Sequence, residues 1–223
     1  MPNDAHRTPG VPDDVQRLLR AYGGRYVRDT GEKVVYLTFD EGYENGFTGQ
    51  ILDALQTAGV QAAFFVTGSY VRDNPALVRR MAYEGHVVAN HTDGHLSLPS
   101  LAFDRDAFER ELTATEQAFR KVTGRAMVHL LRPPMGEYSA RSLCLTQRLG
   151  YQTVLWSFAH RDWLVDEQPS VAVTLERLLE GRHDGAIYLL HAVSSSNTEA
   201  LPRLIEEMRA RGYRFGALTD LLQ

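Results

Sequence analysis

Cysteine is almost missing from this 223-residue chain: Cys144 stands alone, so neither an intramolecular disulfide nor a Cys-x-x-Cys metal knuckle can form. Its setting in SLCLTQRL reads as a helix-packing thiol, and one unpaired cysteine says little about compartment. Long apolar runs are missing too. None approaches the roughly 18 residues that cross a bilayer, and the N-terminal MPNDAHRTPGVPDD has no apolar stretch to serve as a signal peptide. Nor is there an excess of positive charge. Lys and Arg number 24 against 28 Asp and Glu, a formal net charge of -4, and no basic block is present. A surface that gathers nucleic acid through non-specific phosphate contacts is thereby disfavoured. What remains, 43% hydrophobic and 23% charged residues, is ordinary globular composition for one or at most two domains.

From Lys33 onward, short apolar runs rich in β-branched residues alternate with segments of helical period. Each alternation takes roughly 25 to 30 residues, the length of a βα unit. The pattern predicts strands over 34–39, 62–66, 86–90, 128–131, 152–156, 186–190 and 214–217. Helices are expected over 49–58, 75–83, 104–122, 140–149, 171–179 and 198–211, with Asn74-Pro75 opening one and Gly59, Gly124 and Gly212 closing others. Residues 33–223 therefore read as one α/β domain, and residues 1–32, with Pro2, Pro9, Pro12 and the pair Gly23 and Gly24, as a tail and lead-in. An open doubly wound sheet and a closed barrel share this pattern. The polar residues favour the barrel: Asp40 and Glu41 follow the first strand, His91 the third and His191 the sixth, Arg132 ends the fourth, and Asp162 lies beyond the fifth. A barrel brings such strand ends onto one rim. A distorted (β/α)7 barrel is expected.

Five motifs carry groups able to do chemistry. In TFDEG, residues 38–42, two adjacent carboxylates follow an apolar strand; their joint ionisation calls for a cation or a neighbouring Arg, and the plain alternative is a polar turn. His91-Thr-Asp-Gly-His95 places two imidazoles on a loop, as Gly94 and Pro99 indicate, without the Glu that a helical HExxH motif uses as base. Two His and one carboxylate would give a catalytic zinc three protein ligands and leave a position for water. In Leu131-Arg132-Pro133-Pro134-Met135-Gly136 the prolines stiffen the chain after a guanidinium, although a surface turn fits as well. His191 ends IYLLH, where a lone His is commonly structural, and Asp162-Trp163 offers a carboxylate for an imidazole beside a flat apolar wall, or plain core. Singly none decides. Together, at one end of successive strands, they make the parts list of metal-assisted hydrolysis.

In this order and spacing, TFDEG, HTDGH, RPPMG, the Asp162-Trp163 pair and LLH resemble the five motifs of the polysaccharide deacetylases, carbohydrate esterase family 4. FDEGYENGFTGQILDAL, FFVTG and LLHAVSSSNTEALPRLIEEMRARGYRF are similar to the branch that removes the N-acetyl group of muramic acid during muramic δ-lactam synthesis in spore-cortex peptidoglycan. The resemblance implies a metal-assisted amide hydrolase acting on N-acetylmuramic acid in glycan strands. It makes Asp40 the general base, His191 the acid, Arg132 the group that holds Asp40 ionised, and Asp162 the partner of His191. Met135 and Trp163 would contact substrate, Met135 through its backbone N–H. A divalent metal, expected to be zinc, would be held by Glu41, His91 and His95. Three positions depart from the family pattern: Glu41 and Ala159 replace Asp, and Tyr43 replaces Pro. The alternatives are N-acetylglucosamine polymers, chitooligosaccharides or acetylxylan as substrate and, in another class, an inactive carbohydrate-binding homologue. The expected partner is a peptidoglycan strand, with no nucleic acid and no transmembrane segment. The protein is expected to be a monomer working outside the cytoplasm, its signal peptide trimmed and not contained in this chain.

Overall fold

The computed structural model describes residues 8–222, so the first seven residues of the expected tail lie outside the described residues. Eight strands are present among those described: β1 (Val34–Glu41), β2 (Ala63–Val66), β3 (Val87–Asn90), β4 (Val128–Leu131), β5 (Gln152–Thr153), β6 (Phe158–Ala159), β7 (Ala186–His191) and β8 (Arg214–Phe215). The helices are α1 (Asp13–Ala21), α2 (Thr48–Ala58), α3 (Gly68–Asp73), α4 (Pro75–Tyr83), α5 (Leu98–Leu101), α6 (Arg105–Thr123), α7 (Ala140–Arg148), α8 (Val171–Glu180) and α9 (Ser195–Ala210). None is long and apolar enough to cross a membrane.

Successive side chains of a strand point to opposite faces, and here both faces are buried. On β1, Val34 and Tyr36 join an inner cluster with Phe65, Ala89, Leu130 and Ile187. Val35, Leu37 and Phe39 join an outer one, where Leu52 of α2, Val78 of α4, Phe119 of α6, Leu178 of α8 and Leu204 of α9 pack. Burial on both sides is why these strands read as unbroken apolar runs.

The strands pair in parallel in the order β5-β4-β3-β2-β1-β7-β6, with β8 beside the first residues of β1. The two edges of that order, β5 and β6, are consecutive in the chain, so the sheet has to curl until residues 154–157 bridge them. Val154 N–H donates to Leu131 O on one side at 2.8 Å, and Ser157 N–H donates to Ile187 O on the other at 3.0 Å. Lower down, the lead-in fills the gap: Arg25 bridges Val154 and Val27 bridges Ala186. The result is the distorted (β/α)7 barrel expected from the strand-end residues.

Several elements differ from expectation. The strand expected over 152–156 is only two residues long, β5, and β6 follows beyond that range, because the chain changes its hydrogen-bonding neighbour from β4 to β7 between them. Inside the expected lead-in, α1 seats Leu19 against Leu143 and Leu155. Helix α9 begins three residues before position 198, because Ser194 Oγ accepts the backbone N–H of Asn197 at 3.1 Å and caps the helix there.

Candidate active site

The alternation that turns Tyr36 inward also turns Thr38 and Asp40 inward, at the C-terminal end of the barrel. His191 lies directly opposite Asp40 in the register of β1 and β7, one strand spacing away. Arg132 follows β4 and is fully buried. Its Nη1 donates to Asp40 Oδ1 at 2.7 Å and to Thr38 Oγ1 at 2.8 Å, while Nε and Nη2 donate to the carbonyls of Val154 and Leu155, each at 3.3 Å. The guanidinium also stacks 4.1 Å above the ring of Phe65. This planar fork of five N–H donors meets four acceptors, one more than the three donors of a lysine could serve. Burial alone would raise the Asp40 carboxyl, but Arg132, His91 and His191 outweigh it and hold the group below the usual carboxylate range.

His191 is held by Asp162, which is fully buried. Asp162 Oδ1 accepts from His191 Nδ1 at 2.7 Å, and Oδ2 accepts the His191 backbone N–H at 2.8 Å. Burial would lower the imidazole, yet the hydrogen bond to Asp162, that residue's charge and Asp40 carry it above its ordinary value. One imidazole nitrogen is thus occupied, and the other is available to substrate. The indole of Trp163 stands edge-on to this ring, 5.6 Å between centres.

The third cluster is the histidine loop. His91 Nδ1 donates to the carbonyl of Arg132 at 2.8 Å, which fixes the tautomer and leaves Nε2 facing Asp40 Oδ2 at 3.6 Å. Burial pushes His91 down to about 4, and burial also lowers His95. The rings of His91 and His95 meet edge to face, 4.8 Å between centres, and both line the same cavity. The loop is strained, since Thr92 and His95 have φ of 67° and 56°. Asn90 Oδ1 restrains it by accepting the Thr92 N–H at 2.8 Å.

Glu41, expected as the third metal ligand, does not join them. The strand that turns Asp40 inward turns Glu41 outward, to a place beside Glu44, Thr48 and Tyr70 where it is 1% exposed. The hydroxyls of Thr48 and Tyr70 donate to Glu44 Oε2, and both Glu41 oxygens are buried without a hydrogen bond. Burial, reinforced by Glu44 and Asp40, pushes this carboxyl well above its ordinary value. No group of three His, Cys, Asp or Glu converges on a metal position among the described residues. The expected three-residue set therefore does not fit, because Glu41 faces away from the two imidazoles.

Asp40, His91, His95 and His191 line a cavity of about 650 Å³ whose walls include Tyr43, Met135, Trp156, Trp163 and Val193. Met135 is exposed in a 3-10 turn, Pro134–Gly136, with φ of 58°, and Gly136 is required there because a Cβ would fall 2.6 Å from Trp156 Cη2. Sequence reasoning named Met135 and Trp163 but missed Tyr43, Trp156 and Thr38. Thr38 was detectable, two residues before Asp40 on the same face of β1. A second cavity, of about 810 Å³, lies between the lead-in and the C-terminal turn and is lined by none of the motif residues.

Residues 27–154 match the model of the polysaccharide deacetylase family. The chain is 41% identical over 217 residues to a peptidoglycan-N-acetylmuramic acid deacetylase, PdaA, of Bacillus subtilis, covering 97% of this chain and 82% of that protein. It is 36% identical to a chitooligosaccharide deacetylase of Rhizobium leguminosarum over 84% of this chain and 91% of that one. The solved structure of Bacillus subtilis PdaA, a family 4 carbohydrate esterase, superposes with a TM-score of 0.94 at 40% identity, over 97% of this chain and 92% of that one. Motifs, barrel and relatives agree: the chain belongs to the polysaccharide deacetylase family.

Proposed function

We propose that the protein removes the N-acetyl group of N-acetylmuramic acid residues in peptidoglycan glycan strands, a step toward muramic δ-lactam in spore cortex. The observation that carries the reading is the placement of an anion-favouring Asp40 opposite a proton-favouring His191 at an aromatic-rimmed cleft. Likeness over the full chain to an N-acetylmuramic acid deacetylase supplies the substrate.

Arg132 occupies Asp40 Oδ1, so Oδ2 is the oxygen that receives a proton from water as that water attacks the acetamide carbon. The negative charge that develops on the amide oxygen is met by the backbone N–H of Met135, on the stiff turn after Pro133. His191, its Nδ1 held by Asp162, gives the proton on its other nitrogen to the departing amine. Acetate and a free sugar amine result. Tyr43 and Trp163 offer flat faces to the neighbouring sugars. Deacetylases of this family are metalloenzymes. A zinc ion would find the imidazoles of His91 and His95 here, where it would polarise the acetamide oxygen, without a contribution from Glu41. A peptidoglycan substrate places this activity outside the cytoplasm.

The test is mass spectrometry of peptide-free glycan strands and of chitooligosaccharides after incubation with the purified protein. Loss of one acetyl group per muramic residue is expected. Ready deacetylation of chitooligosaccharides with intact muramic acetamides would overturn the substrate and leave the chemistry standing.

A further inference from the structure

Asp162 receives more donors than His191 supplies. Its Oδ2 also accepts the side-chain amide of Asn197, Nδ2 to Oδ2 at 2.5 Å. Asn197 lies in the first turn of α9, only 3% exposed. An ionised carboxylate can only accept, so the amide must present its NH₂ to Asp162 and its oxygen away from it. That oxygen meets His160 Nε2 at 3.0 Å. An amide oxygen also can only accept, so His160 carries its proton on Nε2, and its Nδ1 is left buried without a partner. Burial holds His160 below its ordinary value although Asp162 Oδ2 lies 3.9 Å away, so the ring is neutral and does not compete with His191 for the charge of Asp162. Each hydrogen from His160 through Asn197 to Asp162 is placed by the chemistry of the next group.

We propose that Asn197, oriented by His160, is a positioning residue for the acid of this site: it fixes the rotation of the Asp162 carboxylate that keeps Oδ1 on His191 Nδ1. The inference rests on the reading of His191 as the acid. Asp40 from β1, Arg132 after β4, His95 from its loop and Trp163 also face His191. None of them supplies a hydrogen bond to the Asp162 carboxylate among the described residues. Without the amide, both hydrogen bonds left on the carboxylate come from His191 itself, and no group outside that residue fixes the rotation.

The experiment compares Asn197→Ala, His160→Leu and His160→Gln with wild type, reading kcat and KM for acetate release together with the low-field proton resonance of His191 Nδ1–H, assigned by its absence in His191→Ala. Asn197→Ala and His160→Leu are expected to lower kcat by about 10- to 100-fold, the usual cost of losing an orienting partner, with KM unchanged and the resonance shifted or broadened. His160→Gln keeps a donor for the Asn197 oxygen and is expected to restore what His160→Leu loses. Wild-type kcat and an unmoved resonance in Asn197→Ala, or the same loss in both His160 variants, would overturn the proposal. Should wild type release no acetate from any glycan, the functional reading fails, and the resonance alone still decides whether Asn197 positions Asp162.

Discussion

Replacing Arg132 by Met isolates the interaction on which the site is built. The ion pair to Asp40 spans 2.7 Å between two buried groups, and at an effective dielectric near 20 the attraction at that distance is about 6 kcal/mol. Much of this offsets the cost of burying both charges, but deleting one partner strands the other and costs about 3–5 kcal/mol. Thr38 and the carbonyls of Val154 and Leu155 lose their donors as well, so the upper end of that range is expected. The penalty has a pH signature. In the wild type, Arg132 keeps Asp40 below its unfolded value, so the stability this group contributes is complete above about pH 4 and is lost on further acidification. In Arg132→Met, burial is opposed only by His91 and His191, and the Asp40 value is expected to rise above the unfolded one. Protonation then favours the folded state, and the variant recovers stability as pH falls. Urea unfolding at about pH 8 and about pH 5, where the wild-type contribution is complete, measures the arm of the variant, and the penalty should shrink at the lower pH. A penalty of equal size at both values, or one below about 1 kcal/mol, would refute the reasoning. The double variant Asp40→Asn/Arg132→Met supplies the control: with neither charge left alone, it should be more stable than Arg132→Met at the higher pH.

Three further predictions follow from the geometry. Zinc affinity measured by calorimetry should be unchanged in Glu41→Gln and lost or greatly weakened in His91→Ala and His95→Ala; a marked loss in Glu41→Gln would return that residue to the ligand set. The profile of kcat/KM against pH should have its acid limb below the ordinary Asp value near 3.9 and its basic limb above the ordinary His value near 6.5, since Asp40 is lowered and His191 raised. Asp162→Asn should move the basic limb down, because burial is then opposed by Asp40 alone, and an unmoved limb would remove Asp162 from that role. Gly136→Ala adds a Cβ 2.6 Å from Trp156 at a φ of 68°, so it should lower stability by about 1–3 kcal/mol and reduce kcat/KM. An unchanged Tm would show that the turn has slack.

What could be read from the residues was whatever strand periodicity controls. Asp40, His91, Arg132 and His191 stand at strand ends, and their convergence follows from a parallel barrel whose side chains alternate. The same alternation argues against Glu41 as a partner of Asp40, but adjacency within TFDEG suggested a shared task and concealed the opposite directions of the two side chains. The run over 152–156 has the composition of one strand, and nothing in composition marks where a strand exchanges one neighbour for another. Asn197 and His160 were invisible for a different reason: Asn in the first turn of a helix ordinarily faces water, and only the approach of the loop carrying Asp162 buries it. Helix α1 has Val15, Leu18 and Leu19 at helical spacing, a weak signal beside the prolines that precede it.

Arg132 is hydrogen-bonded to both Val154 and Leu155, the residues that carry the chain across the gap between the two sheet edges. The residue that keeps Asp40 charged is therefore also the clasp of the barrel. A descendant of this protein released from selection for catalysis could lose the partly exposed His191 at smaller structural cost, but it would surrender Asp40 only by stranding the buried Arg132 charge, and Arg132 only with compensating changes in the wall. Decay in this architecture should begin at His191, leaving the Arg132–Asp40 pair as the last trace of the site.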